Sequence, residues 1–127
     1  MGLLTSAVMC MALNIYNEAR GESVEGQYAV ADVTLRRVQD NRWEDTVCGV
    51  VYEDYQFSWT LSKFTVKEGH SLDLAIQIAE DSLRLDYEPK LKCADHYYNP
   101  SIVNPYWAKN MKVEAVIGNH LFLCSED

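Results

Sequence analysis

A chain of 127 residues, 48% hydrophobic and 24% charged, is long enough for one core and too short for two. With 19 acidic against 11 basic side chains the net charge is −8; no Lys/Arg-rich stretch exists to displace counterions, which excludes a nucleic-acid backbone binder. Low Gly and Pro with 11% aromatics exclude disorder, and the longest near-apolar run, Leu3 to Leu13, is too short to span a bilayer.

That run opens the first predicted element. It has no basic n-region and no small-x-small cleavage site, so it reads as a buried helix rather than a signal peptide, and the product is expected to be made in the cytoplasm. Thr5 or Ser6 caps it, Ala7, Val8, Met11 and Ile15 recur at helical spacing, and it runs to Glu18 or Arg20. After Gly21 a second helix covers Val24 to Val38, striped by Tyr28, Ala31, Leu35 and Val38. Val47 to Tyr52 is β-branched, and Gln56-Phe57-Ser58-Trp59-Thr60 alternates polar with aromatic, so residues 47–60 are expected to form a small antiparallel element. Ser71 caps a third helix through Leu85. The aromatic, amide-rich stretches Cys93 to Pro100 and Asn104 to Trp107 read as ordered loops. Val113 to Val116 is apolar and of either type, Gly118-Asn119 is a turn, and His120 to Cys124 is a closing strand.

Three stretches could carry chemistry. Glu18, Glu22 and Glu25 crowd the end of an apolar helix. A desolvated carboxyl there would hold a proton near neutrality, and a like charge one turn away would raise its pKa further. A solvated helix end screened by Arg20 is the plain alternative. Gln56-Phe57-Ser58-Trp59 and His96-Tyr97-Tyr98-Asn99 with Tyr106-Trp107 interleave amides and hydroxyls with ring faces, as carbohydrate recognition requires; ordinary core packing of aromatics is the alternative. Cys93-x2-His96 and His120-x3-Cys124 also have spacings compatible with a structural zinc. That gives a competing reading as a non-enzymatic interaction domain. Histidines as polar residues of a cleft with thiols as buried hydrophobes are the alternative; separately, the four cysteines of a cytosolic product are expected to be free thiols, with Cys48 and Cys93 near each other.

Taken together, the motifs resemble the SleB-type cell wall hydrolases, the family named for the spore-cortex-lytic enzyme and also found as phage lysins. The matching pieces are Asn17-Glu18-Ala19-Arg20-Gly21-Glu22, Gly26-Gln27-x-Ala29-Val30-Ala31-x-Val33, Cys48-Gly49-Val50-Val51-Tyr52 leading to Gln56-Phe57-Ser58-Trp59, Ala94 to Asn99, Asn104 to Ala108, and Ile117 to His120. Departures are Arg36 before Arg37-Val38, Tyr98 where a histidine is common, and Leu123 where an aromatic is.

The resemblance implies an α+β, lysozyme-like fold, mostly helical with a small antiparallel element, and residues 1–127 as a single catalytic domain without a separate wall-binding module. It implies cleavage of peptidoglycan glycan strands between N-acetylmuramic acid and N-acetylglucosamine, with Glu18 as the catalytic acid/base and Glu22 and Gln27 supporting it. Gln56, Ser58, His96, Tyr97, Asn99 and Trp107 are expected to line one sugar cleft with Glu18. A lytic transglycosylase, which needs one carboxyl and makes a 1,6-anhydro product, is favoured over a lysozyme-type hydrolase, which needs a second carboxylate from Glu22, Glu25, Asp54 or Asp95. No cofactor, metal, nucleic acid or membrane span is expected. The product is expected to act as a monomer and to reach the wall by holin-type release, as a phage lysin does.

Overall fold

Thr5 starts the first helix by accepting the Val8 amide on its hydroxyl at 3.2 Å. From there α1 (Ser6–Ala19) runs through the protein's centre, burying Met11, Ala12, Ile15, Tyr16 and Ala19. The structure, a computed structural model, describes residues 5–53 and 69–125. Ser23 caps α2 (Val24–Val38) through the Gly26 amide at 3.1 Å, and Arg36 and Arg37 in the last turn suit the negative end of its dipole. Both helices keep the predicted bounds.

The β-branched run at 47–52 is not a strand. It forms α3 (Val47–Tyr52), capped by Thr46, whose hydroxyl accepts the Gly49 amide at 2.9 Å. Val47, Val50 and Val51 sit at helical spacing and all three are buried; strand alternation would have turned Gly49 inward instead. Packing of three valines outweighs β-propensity here. The rest of that expected element, Gln56 to Thr60, lies outside the described residues. The next helix, α4 (Gly69–Ser82), already contains Ser71, so Ser71 is not its cap, and it ends three residues before Leu85, which is fully exposed. Helix α1 packs on α2, α3 and α4 together. No helix among the described residues is long and apolar enough to cross a membrane.

The sheet comes from the C-terminal third. Strands β1 (His96–Tyr98), β2 (Lys112–Ile117) and β3 (His120–Cys124) pair antiparallel in the order β1-β3-β2, with His96 opposite Leu123 and Tyr97 opposite Phe122. Residues 96–98, expected as loop, are therefore an edge strand, and the closing strand 120–124 is the centre of the sheet. A bulge between Val113 and Ala115 re-aims Glu114. Its carboxylate accepts the amides of Lys92, Cys93 and Ala94 at 2.5, 2.9 and 2.8 Å. From α2, Asp32 accepts the Lys90 and Leu91 amides and the Tyr87 hydroxyl. Arg36 donates to the Leu91 and Ala94 carbonyls and Arg37 to that of Asp95. The chain leading into β1 is thus pinned from both sides.

The cysteines are not free. Cys10 bonds Cys48, tying α1 to α3, and Cys93 bonds Cys124, tying the approach to β1 onto β3. All four are oxidised, Cys48 and Cys93 to different partners, so the expectation of free thiols fails. The zinc alternative fails with it. Cys93, Glu114 and Cys124 do converge, but the two sulfurs are bonded to each other and the carboxylate is filled by three amides.

Candidate active site

Glu18 sits in the last turn of α1, one turn beyond Asn14 on the same helix face. Its neighbours Ile15, Tyr16 and Ala19 are buried, and the carboxyl itself is partly so. Burial raises its pKa above the usual carboxylate value. Two partners act in the other direction: the Tyr97 hydroxyl donates to Oε1 at 3.1 Å, and the Arg37 guanidinium contributes positive charge. Arg37 is itself buried, held by its Nε on the Asp95 carbonyl at 2.8 Å and stacked over Trp43 at 5.0 Å. A carboxyl so placed keeps its proton to higher pH than an exposed one and has a partner that steadies the anion once the proton leaves.

Glu22, four residues on, does something else. Its two oxygens accept the backbone and side-chain N–H groups of Asn119 at 3.0 and 2.9 Å, and His120 Nδ1 lies 3.9 Å away. Burial would raise its pKa, but the Asn119 donors and His120 carry it below the usual value. The clamp is close: Gly118 has φ of 58°, and a Cβ there would stand 2.3 Å from Glu22 Oε1. Gln27 is buried and donates from Nε2 to the Glu22 carbonyl at 3.2 Å, so it braces the same loop. Burial supplies the rise at Glu18 that like charge from Glu22 was expected to add.

The expected sugar residues divide. Strand alternation turns Tyr97 toward the helices, where its ring meets Phe122 at 5.6 Å and His120 edge-on at 5.4 Å. His96 and Tyr98 point to the opposite face and meet Trp107 at 5.0 and 5.7 Å. Tyr97 and the pair His96 and Tyr98 thus lie on opposite faces of β1, with Tyr97 alone of the three hydrogen-bonded to Glu18. Trp107 keeps 38% of its surface exposed, and Trp43 lies against His96 at 5.8 Å, giving a half-open aromatic cluster. His96 Nδ1 is 2.9 Å from Asp95 Oδ1; burial lowers its pKa despite that carboxylate and so favours the neutral ring. Asn99 is occupied locally, accepting from the amide and hydroxyl of Ser101. Gln56 and Ser58 lie outside the described residues.

Three residues near these groups were not singled out from sequence, Asn14, Arg37 and Trp43, while His120 was read as one arm of a zinc site and instead lies beside Glu22 and Tyr97. Asn14 carried a signal, being polar inside the stripe Met11, Ile15 of an apolar helix. Arg37 carried none that separates it from exposed Arg42.

A family model described as Cell Wall Hydrolase matches residues 21–123. The chain is 32% identical over 121 residues to a spore cortex-lytic enzyme of Oceanobacillus iheyensis, covering 95% of this chain and 42% of that protein. It is 29% identical over 125 residues to the spore cortex-lytic enzyme of Bacillus subtilis, covering 95% and 38%. It thus spans less than half the length of these curated relatives. Among solved structures it is similar to the catalytic domain of the germination-specific lytic transglycosylase SleB from Bacillus anthracis, at 27% identity and a TM-score of 0.78, over 96% of this chain and 97% of that one. The catalytic domain of the Bacillus cereus SleB protein matches at 27% identity and 0.73, over 96% and 92%.

Proposed function

This chain belongs to the cell wall hydrolase family, and on that premise we propose that it cleaves peptidoglycan glycan strands between N-acetylmuramic acid and N-acetylglucosamine, with Glu18 as the one general acid and base. The observation that carries the reading is the Glu18 carboxyl, raised in pKa by burial and partnered by a phenol and a guanidinium. Protonated, it gives its proton to the glycosidic oxygen as positive charge develops at C1 of the muramic acid. The C1–O bond breaks, the N-acetylglucosamine side leaves as an alcohol, and Glu18 is left as a carboxylate. The muramic acid's own 6-hydroxyl then attacks C1 and its proton passes to Glu18. A 1,6-anhydro ring forms, and the acid is restored for the next turnover.

Lytic transglycosylation is the reading the carboxylates favour. A hydrolase would need a second carboxylate to act as nucleophile or to hold water. Glu22 is committed to Asn119, and Asp95 to Ser125, Arg42 and His96; Glu25 is exposed in the first turn of α2, and Asp54 lies outside the described residues. The SleB of Bacillus anthracis is itself described as a lytic transglycosylase. The same single-carboxyl chemistry supports one catalytic unit working as a monomer, since every group used comes from one chain.

The setting follows from the sulfur chemistry. Two disulfides suit an oxidising compartment, which supports work on the wall side of the membrane. Within that setting the reading extends to a phage lysin released by a holin-type pore. Mass spectrometry of muropeptides from purified sacculi tests the chemistry: anhydro-muramyl ends are expected, reducing ends would mean hydrolysis, and intact strands would end the proposal.

A further inference from the structure

A carboxyl has two oxygens, and the chemistry above uses one of them to carry the moving proton. Oε1 of Glu18 is already taken, by the Tyr97 hydroxyl at 3.1 Å. Burial and the neighbouring carboxyl hold Tyr97 well above the usual phenol pKa, so it stays a phenol with a single proton to give. Asn14 faces the same hydroxyl and acts on it as a donor. An amide N–H directed into the phenol oxygen leaves the O–H free to point at the carboxyl. Asn14 is fully buried, with Nδ2 3.5 Å from Thr34 Oγ1, and that hydroxyl in turn donates to the Val30 carbonyl at 3.3 Å. Asn14, Tyr97 and Glu18 therefore share one hydrogen-bonded chain, Asn14 and Glu18 one turn apart on α1 and Tyr97 on the edge strand β1.

We propose that Asn14 and Tyr97 are positioning residues for the proton of Glu18: the amide aims the phenol, the phenol occupies Oε1, and the proton exchanged with the sugar resides on Oε2. This gives Tyr97 a role other than sugar contact, and it rests on the reading of Glu18 as the acid. The carboxyl then returns to one geometry after each proton transfer, since Oε1 accepts the same hydrogen bond in the neutral and the charged state.

Tyr97→Phe tests it, because it removes the hydroxyl and keeps the ring. A donor to a carboxylate favours the charged form, so its loss raises the Glu18 pKa. The alkaline limb of the pH–rate profile on soluble glycan strands is expected to move up by roughly half a unit or more. With it, kcat falls about 10- to 100-fold through lost alignment while KM stays within about twofold. Asn14→Leu gives a smaller fall in kcat, again with KM unchanged. Site-specific replacement of Tyr97 by 3-fluorotyrosine preserves shape and strengthens the donor, so it moves the limb the other way; NMR titration of the Glu18 carboxyl reads the same shift without turnover. A rise in KM with kcat and both titrations unmoved overturns the proposal and returns Tyr97 to sugar binding. Glu18→Gln measured alongside separates the two readings: activity retained there overturns the acid assignment itself, whereas activity lost there with an unmoved limb in Tyr97→Phe overturns only the positioning.

Discussion

Two glutamates four residues apart, one in the last turn of α1 and one in the loop that follows it, have been given opposite tasks by what surrounds them. At the end of α1, Glu18 accepts one hydrogen bond from a side chain and sits among buried apolar neighbours, and its pKa rises. At the hairpin turn, Glu22 is also largely enclosed, its side chain 9% exposed, yet two N–H donors from Asn119 with His120 beside them bring its pKa down. Burial acts in the same direction on both. The number and placement of donors decide which carboxyl keeps a proton and which becomes a fixed anion that ties α2's entrance to the sheet.

The strongest way to break that contrast is Glu18→Gln, which keeps the shape and loses the proton. Glycan cleavage is expected to fall by about 10²–10⁴ with folding intact, read in a muropeptide assay beside a thermal melt. Normal cleavage in this variant would make Glu18 as structural as Glu22. The disulfides come next, since one fastens the helix of Glu18 and the other the sheet that Glu22 grips. Cys10→Ser with Cys48→Ser, or Cys93→Ser with Cys124→Ser, is each expected to lower stability by about 2–4 kcal/mol in denaturant titration; thiol counts of two per unreduced double variant would show that the bonds do not form.

Glu22→Ala is expected to cost about 1–2 kcal/mol, because it strips the charged acceptor from the Asn119 amide at the turn, and to reduce turnover far less than Glu18→Gln. The reverse ranking in a melt and an activity assay would exchange the two roles. The smallest effect sharpens the contrast most. For Glu18 the folded state binds its proton more tightly than the unfolded chain, so its contribution to stability is full below the ordinary value of about 4.3 and declines as pH rises through the raised folded value. For Glu22 the contribution is full above about 4.3 and is lost as pH falls through its lowered folded value. Glu18→Gln should accordingly melt higher than the parent at neutral pH and no higher in acid, whereas the deficit of Glu22→Ala should shrink in acid. Parallel pH dependences would mean that the two carboxyls share one environment.

The helices were legible where local chemistry and packing agree. Thr5 and Ser23 each have a hydroxyl three residues ahead of a free amide, and the apolar stripes behind them are what the core needs. Residues 47–52 were not, because Val47, Val50 and Val51 fit a strand by type and a helix by spacing, and only α1 and α2 beneath them decide. Strand β1 hides for a related reason: its three residues pair with β3 across a long connection, and no local pattern marks them. The carboxyl cluster pointed to Glu18, but the partners that separate it from Glu22 lie 79 and 97 residues away along the chain. Cysteine spacing left pairing open in the same way.

The bond between Cys93 and Cys124 encloses β1, β2, β3 and every loop between them in one covalent ring. A protease that cuts once inside it, for instance in the exposed stretch from Pro100 to Val103, produces two polypeptides that remain a single molecule. Nicked protein would run as one band without reductant and as two with it. In surroundings rich in peptidases, a first cut then need not release β2 and β3, with the Asn119 that holds Glu22, from the part that carries Glu18 and Tyr97, and the catalyst would outlast the continuity of its own chain.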